Sequence, residues 1–167
     1  MPSRVKNTFP SQGFFGIGIM HSGQEVNIGT LWRTAYIMGA SFIFTIDKKY
    51  KAQSSDVTKA WTKIPLYHYA SFEEFKDNLP FSTRIVALEL CDDSCDIIEY
   101  THPERAVYIL GNEQSGLSKS ILEQCHQVVS LPGNFSLNVA VAGSLVIYDR
   151  LSKLNVYSRD FLPKRES

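Results

Sequence analysis

Cysteine is scarce in this chain: Cys91, Cys95 and Cys125 are the three among 167 residues. An odd number with no paired framework excludes a disulfide-stapled scaffold and points to free thiols in a reducing compartment. An excess of one charge is also missing. Lysine plus arginine balances aspartate plus glutamate at 17 each, so no global field draws the chain to nucleic acid or membrane. Any RNA-binding surface must be a local patch. No run approaches the ~18 apolar residues of a transmembrane helix, so no membrane partner is expected. The opening MPSRVKNTFPSQG holds no apolar core of signal-peptide length, and a cytoplasmic protein is the simplest expectation. The fingerprint G-x-G-x-x-G is absent, because Gly13, Gly16 and Gly18 do not fall in that order. A nicotinamide-dependent oxidoreductase therefore has little support. Cys91 and Cys95 are spaced as a zinc pair can be, with His102 and His126 downstream, but no second pair follows. No metal is expected.

What is present reads as one α/β domain over 1–167, with a loose arm over 1–12 and a polar-ended tail over 156–167. Strands are expected at Phe14–Met20, Ser41–Ile46, Pro65–Tyr69, Arg84–Leu90, Ala106–Leu110 and Gln127–Leu131, from short apolar, β-branched and aromatic runs. Helical spacing of Ile28, Leu31, Trp32, Ala35 and Met38 predicts a helix from Asn27, its N-cap, to Gly39 at C′. Ser71 and Glu74 form a capping box for a helix through Asn78. Ser118 caps a short helix to Cys125, and a long helix runs from Ser136, its expected cap, to about Leu151. Asp47–Thr62 is a polar, lysine-bearing loop with room for one short helix, and 91–104 is an acidic loop. Continuous apolar strands alternating with helices predict a mainly parallel sheet with helices on both faces. Ligands in such sheets sit beyond the carboxyl ends of strands, so the loops after Leu90, Leu110 and Leu131 should lie together.

Three stretches carry candidate chemistry. In NIGTLWR, Asn27, Gly29 and Thr30 open a helix where free N–H groups favour an anion, and Arg33 follows off the apolar face. The same pattern also fits a capped surface helix with a solvated arginine. In LGNEQSGL, Gly111 permits close approach to a ligand, Gly116 permits positive φ, and Glu113 stands at a strand mouth. A plain strand-to-helix turn would read alike. In SLNVAVAGSLVIYD, small residues let another backbone approach, within the chain or across a dimer. There Asn138 needs a partner, since an unpaired buried amide costs roughly 1–3 kcal/mol.

The order N-x-G-x-x-x-R, then a strand with G-N-E-x-x-G-L-S, then a proline turn and S-L-N-V-A-V-A, resembles the three motifs of the SPOUT superfamily. The nearest branch is the SpoU/TrmH-like RNA ribose 2′-O-methyltransferases, and the resemblance runs from about Phe14 to Arg150. It implies a C-terminal deep trefoil knot from roughly Leu88 to Leu151, and a homodimer as the active unit. It implies S-adenosyl-L-methionine as cofactor, against Leu88, Gly111, Leu131, Ser136, Leu137 and Asn138. It maps the catalytic set onto Asn27, Arg33, Glu113, Ser136 and Asn138, with Glu113 and Asn138 orienting Arg33. The implied substrate is RNA, with tRNA favoured and rRNA the other candidate.

The sequence departs from the family in three places. The loop from Pro132 to Asn138 is shorter than usual, Gln114 stands where glycine is common, and Lys48–Tyr69 matches poorly. With no separate RNA-binding domain expected, RNA recognition falls to the dimer surface, with Arg4, Lys6, Lys48, Lys49, Lys51, Lys164 and Arg165 as candidates. The alternative function is a catalytically silent SPOUT-fold RNA-binding or dimerisation module.

Overall fold

The structure, a computed structural model, describes residues 14–21 and 25–154, without the side chains of Glu25 and Val26. The expected arm over 1–12 and tail over 156–167 lie outside the described residues. Chain order is β1 (Phe14–Met20), α1 (Glu25–Ile37), β2 (Phe42–Ile46), a 3-10 turn (Ala60–Thr62), β3 (Leu66–Tyr69), α2 (Phe72–Asp77), β4 (Arg84–Leu88), β5 (Cys95–Asp96), β6 (Arg105–Leu110), α3 (Lys119–Leu122), β7 (Gln127–Ser130) and α4 (Val139–Lys153). The strands form one sheet in the order β3-β2-β1-β6-β4-β7-β5. Every neighbouring pair is parallel. All strand carboxyl ends therefore share one edge, and β6, β4 and β7 are consecutive there. The expected parallel α/β sheet is what the chain forms.

Side chains alternate along these strands with period 2. Val86, Leu88, Ala106, Tyr108 and Leu110 join the core beneath α1 and α4. Ile85, Ala87, Val107 and Ile109 join the core beneath α2 and α3. Both faces are covered, which is why the strands read as continuous apolar runs. The glycines of FFGIGIM belong to this packing. A Cβ at Gly16 would lie 2.4 Å from the Phe42 ring, and one at Gly18 would lie 2.3 Å from the Phe44 ring. Phe44 in turn stacks on Phe75 of α2 at 4.7 Å between centroids.

Several boundaries differ from expectation. Helix α1 begins at Glu25, so Asn27 lies in its first turn and is not its cap. Its far end agrees: Ala40 N–H donates to Ala35 O and Gly39 N–H to Tyr36 O, with Gly39 at φ 89°, the Schellman pattern. Strand β4 stops at Leu88, because Glu89 and Leu90 turn into the loop. The acidic loop hides the two-residue edge strand β5, too short to read from sequence. Ser71 and Ser118 cap α2 and α3 as expected. Helix α4 begins at Val139, capped by Asn138 and not by Ser136.

Helices α1 and α4 pack side by side. A Cβ on Gly143 would sit 2.3 Å from Leu31 Cδ1, so the small residues of α4 serve an approach within the chain. The far end of α4 is fixed by a buried polar network. Arg150, fully buried, donates to Pro103 O at 2.6 Å, Glu104 O at 2.8 Å and Tyr108 Oη at 3.2 Å. His102 Nδ1 lies 2.7 Å from Tyr108 Oη, and Nε2 lies 2.7 Å from Asp149, which also takes Lys153 at 2.9 Å. The network assigns the proton to Nε2, with the Tyr108 hydroxyl donating to Nδ1. Burial pushes the His102 pKa down, against the opposing pull of Asp149.

A histidine held below its unfolded pKa keeps its full contribution above that unfolded value and loses it as pH falls toward the folded one. Stability should therefore decline as pH drops below about 6.5, and His102→Gln should flatten that limb. Urea midpoints between pH 7.5 and 5 read this directly. An unchanged pH slope in the variant would place the titration elsewhere.

Candidate active site

The loops leaving β4, β6 and β7 enclose a cleft of about 250 Å³. Leu88, Gly111, Leu131, Ser136 and Leu137 line it, five of the six positions expected to meet a cofactor. Leu88 and Leu131 arrive from strand ends, whereas Ser136 and Leu137 precede α4. The lining is mixed: leucines and Phe135 are apolar, whereas Glu89, Asn112, Glu113, Gln114 and Ser115 are polar.

The loop after β6 is folded on itself. Asn112 Oδ1 accepts from Gln114 N at 2.9 Å and Ser115 N at 2.7 Å, and Asn112 O accepts from Gly116 N at 3.0 Å. Gly116 takes φ 61°, as expected. A Cβ at Gly111 would lie 2.3 Å from the Gly116 carbonyl carbon, so the loop's own backbone also requires glycine there. Glu89 completes the turn, accepting from Leu117 N at 2.8 Å and from Leu90 N at 3.1 Å. Sequence reasoning missed Glu89, which also lines the cleft. Its signal was a lone carboxylate directly after the apolar run RIVAL.

Glu113 is the junction. Its Oε1 accepts from Asn27 Nδ2 at 2.5 Å and from Asn138 Nδ2 at 3.3 Å. Asn138 uses its other amide atom as the helix cap, with Oδ1 accepting from Ala140 N at 2.9 Å and Val141 N at 3.4 Å. One carboxylate thus ties the first turn of α1 to the cap of α4, at the positive ends of both helices. Hydrogen bonds to an ionised acceptor are roughly twice as strong as neutral ones. The structure brings Asn27, Glu113 and Asn138 together. It does not bring Arg33 into that group: Arg33 stands exposed on the outer side of α1, so the expected orienting of Arg33 by Glu113 and Asn138 is not seen. Ser136 is exposed beside the cleft. His102 and His126 are engaged elsewhere, His126 accepting from Ile85 N. Among the described residues, no three His, Cys, Asp or Glu converge on one point.

The model of the SpoU rRNA methylase family matches residues 17–148. The chain belongs to that family. Two relatives carry the name tRNA (guanosine(18)-2′-O)-methyltransferase. One, from Borreliella burgdorferi, is 30% identical over 148 residues, covering 83% of this chain and 66% of its own length. The other, from Mus musculus, is 24% identical over 135 residues, covering 75% of this chain and 8% of its own length. This SpoU-family chain thus spans less than two thirds of the length of these relatives. Among solved structures, a chain described under 2-OH methylation of C/U34 on tRNA superposes with TM-score 0.76 at 21% identity, covering 86% of this chain and 98% of that one. The SpoU methyltransferase AviRb from Streptomyces viridochromogenes, in complex with AdoMet, gives TM-score 0.74 at 22% identity, covering 85% of this chain and 58% of its own. At such identities the structures show the shared fold.

The double use of Asn138 yields a stability prediction. Asn138→Ala should cost about 1 kcal/mol, the usual loss of an N-cap, whereas Asn138→Ser should keep most of it. Urea unfolding measures both. Equal stability of the alanine variant and the parent would mean that the cap contributes nothing.

Proposed function

We propose that the chain, as a single SPOUT-type domain over 1–167, transfers a methyl group from S-adenosyl-L-methionine to a ribose 2′-hydroxyl of RNA, with tRNA as the substrate class. The observation that carries this is the junction of Asn27, Glu113 and Asn138 beside a cleft at three adjacent strand ends. The cleft fits the cofactor's chemistry: leucines and Phe135 suit an adenosyl ring face, and loop backbone suits its polar edges. Leu88, Gly111, Leu131, Ser136 and Leu137 would hold it, with Asn138 bracing the last two. When bound, the group would supply an electrophilic methyl on a sulfonium and leave as the neutral thioether, with the 2′-hydroxyl proton passing to solvent at this exposed site; that chemistry calls for no metal.

The chain's own part is positioning and charge. Arginine stays protonated in proteins, so Arg33 is not a literal base. Its planar donors fix a phosphate next to the target ribose and stabilise negative charge growing on the 2′-oxygen. The Ser136 hydroxyl offers a donor and an acceptor at the cleft wall. Glu113 sets the relative place of the α1 start and the α4 cap, and through them the distance from Arg33 to the cleft.

Three further features belong to this reading. Val141, Leu145 and Tyr148 form an exposed apolar stripe at helical spacing along α4, with exposed Leu137 just before it, which supports a homodimer. Strand β4 lies between the later strands β6 and β7, and α4 returns to pack on α1, which supports a trefoil knot between Leu88 and Leu151. Free Cys91, Cys95 and Cys125 suit the cytoplasm. No helix among the described residues is long and apolar enough to cross a membrane.

The test is transfer of labelled methyl from S-adenosyl-L-methionine to small RNA from a strain lacking this protein, followed by nucleoside analysis. A 2′-O-methylated nucleoside is expected. Arg33→Ala should lose at least about 100-fold in turnover and keep the cofactor-induced rise in Tm. No transfer despite that rise would favour the silent RNA-binding module, and normal turnover in the variant would remove Arg33 from the mechanism.

A further inference from the structure

The chain is neutral overall, yet its charge is not evenly spread. Between residues 70 and 100 there are eight carboxylates against two cations, and that segment reaches the β5 edge of the sheet. The β2–β3 connection at the opposite edge carries Lys48, Lys49, Lys51, Lys59 and Lys63, all exposed. Its two acids are both engaged. Asp47 pairs with His21 at 2.6 Å, and Asp56 is buried, accepting from Ala60 N at 3.1 Å and the Thr58 hydroxyl at 3.0 Å.

This connection is seated on α1 and not left as a free loop. Tyr50 meets Trp32 edge-on at 6.0 Å, and Tyr50 Oη accepts from Gln53 N at 3.1 Å. Gly29 leaves the space for the 53–56 turn: a Cβ there would lie 2.2 Å from Ser55 Oγ and 3.1 Å from Asp56 N. Two turns further along, Lys63 lies over the Tyr36 ring at 5.1 Å. Arg33 follows Gly29 by four residues and precedes Tyr36 by three, so it shares their side of α1. The lysine-bearing connection therefore runs along the helix that carries Arg33, starting from the sheet edge that holds the cleft. Trp61, 42% exposed, adds an aromatic surface between Lys59 and Lys63.

We propose that the 48–63 connection is an RNA-backbone clamp, with Lys48, Lys49, Lys51, Lys59 and Lys63 bound to successive phosphates that lead toward Arg33. The inference rests on the RNA-methyltransferase reading and gives it a substrate-holding surface. Lysines on a seated turn give phosphate contacts that position RNA without reading its sequence. An acidic protein would suit the same charges, but a run of cations along the helix that carries Arg33 favours RNA.

The probe is unfractionated tRNA lacking modifications, with binding read by filter retention across a salt series on the full-length protein. Lys48→Gln/Lys49→Gln/Lys51→Gln should weaken tRNA binding about tenfold or more and lower the log–log salt slope by about 2, given roughly 0.7–0.9 per phosphate contact. Affinity for S-adenosyl-L-methionine should stay unchanged. Gly29→Ala, which displaces the turn and leaves every lysine in place, should raise the KM for tRNA. Lys119→Gln, on the other face of the sheet, should change neither. Unaltered tRNA affinity and salt slope in the triple variant would overturn the clamp and leave the surface to a protein partner. A fall in cofactor affinity would overturn it too. Filter retention needs no turnover, so loss of the clamp and loss of the enzymatic reading are separate results.

Discussion

A single carboxylate organises the functional end of this molecule. Glu113 accepts from the amides of Asn27 and Asn138, side chains that lie 86 and 25 residues away from it along the chain. Neither amide is placed by local sequence alone. Asn27 stands in the first turn of α1, and Asn138 stands at the cap of α4. The loop carrying Glu113 comes from β6, between them in the sequence and central in the sheet. The parallel sheet makes the meeting possible, because it delivers all its strand ends to one edge. The close packing of α1 on α4 through Gly143 and Leu31 then brings the two helix starts within reach of one side chain.

The other loops depend on that arrangement. Glu89 holds the 116–117 turn from below, and Asn112 folds the same loop on itself. Both leave Glu113 projecting outward, exposed and with a fixed backbone. At the far end of α4, Arg150, His102, Asp149 and Lys153 lock the helix to the 97–104 segment. The helix is therefore pinned at both ends, by an amide cap at one and a buried cation at the other. A pinned helix is what keeps Ser136 and Leu137 against the cleft wall.

Much of this was legible in the sequence. Alternation and apolar runs gave the strands, since both sheet faces are covered and β-branched residues fill them. Ser71, Ser118 and Gly39 announced their helix ends, because capping is local chemistry. The motif order located the cleft through Leu88, Gly111, Leu131 and Leu137. What was not legible depended on partners distant in sequence. Asn27 was read as a cap because nothing nearby shows that its amide reaches Glu113. Ser136 reads as the α4 cap, whereas Asn138, two residues on, holds the Ala140 and Val141 N–H groups; both residue types cap well, so the sequence leaves that choice open. Gly16 and Gly18 read as part of a strand, and only their neighbours Phe42 and Phe44, distant in sequence, explain why glycine stands there. Glu89 shows only as a lone carboxylate after an apolar run, with nothing nearby to name its Leu117 partner, and β5 is too short to show a pattern.

The central claim is that Asn27 and Asn138 act as one unit through Glu113. A double-mutant cycle on Asn27→Ala and Asn138→Ala, scored as kcat/KM for methyl transfer to tRNA, tests it most directly. The account predicts strong non-additivity, with the double variant little worse than the weaker of the two single ones. Losses that simply multiply would contradict it, showing that the two amides serve the site independently.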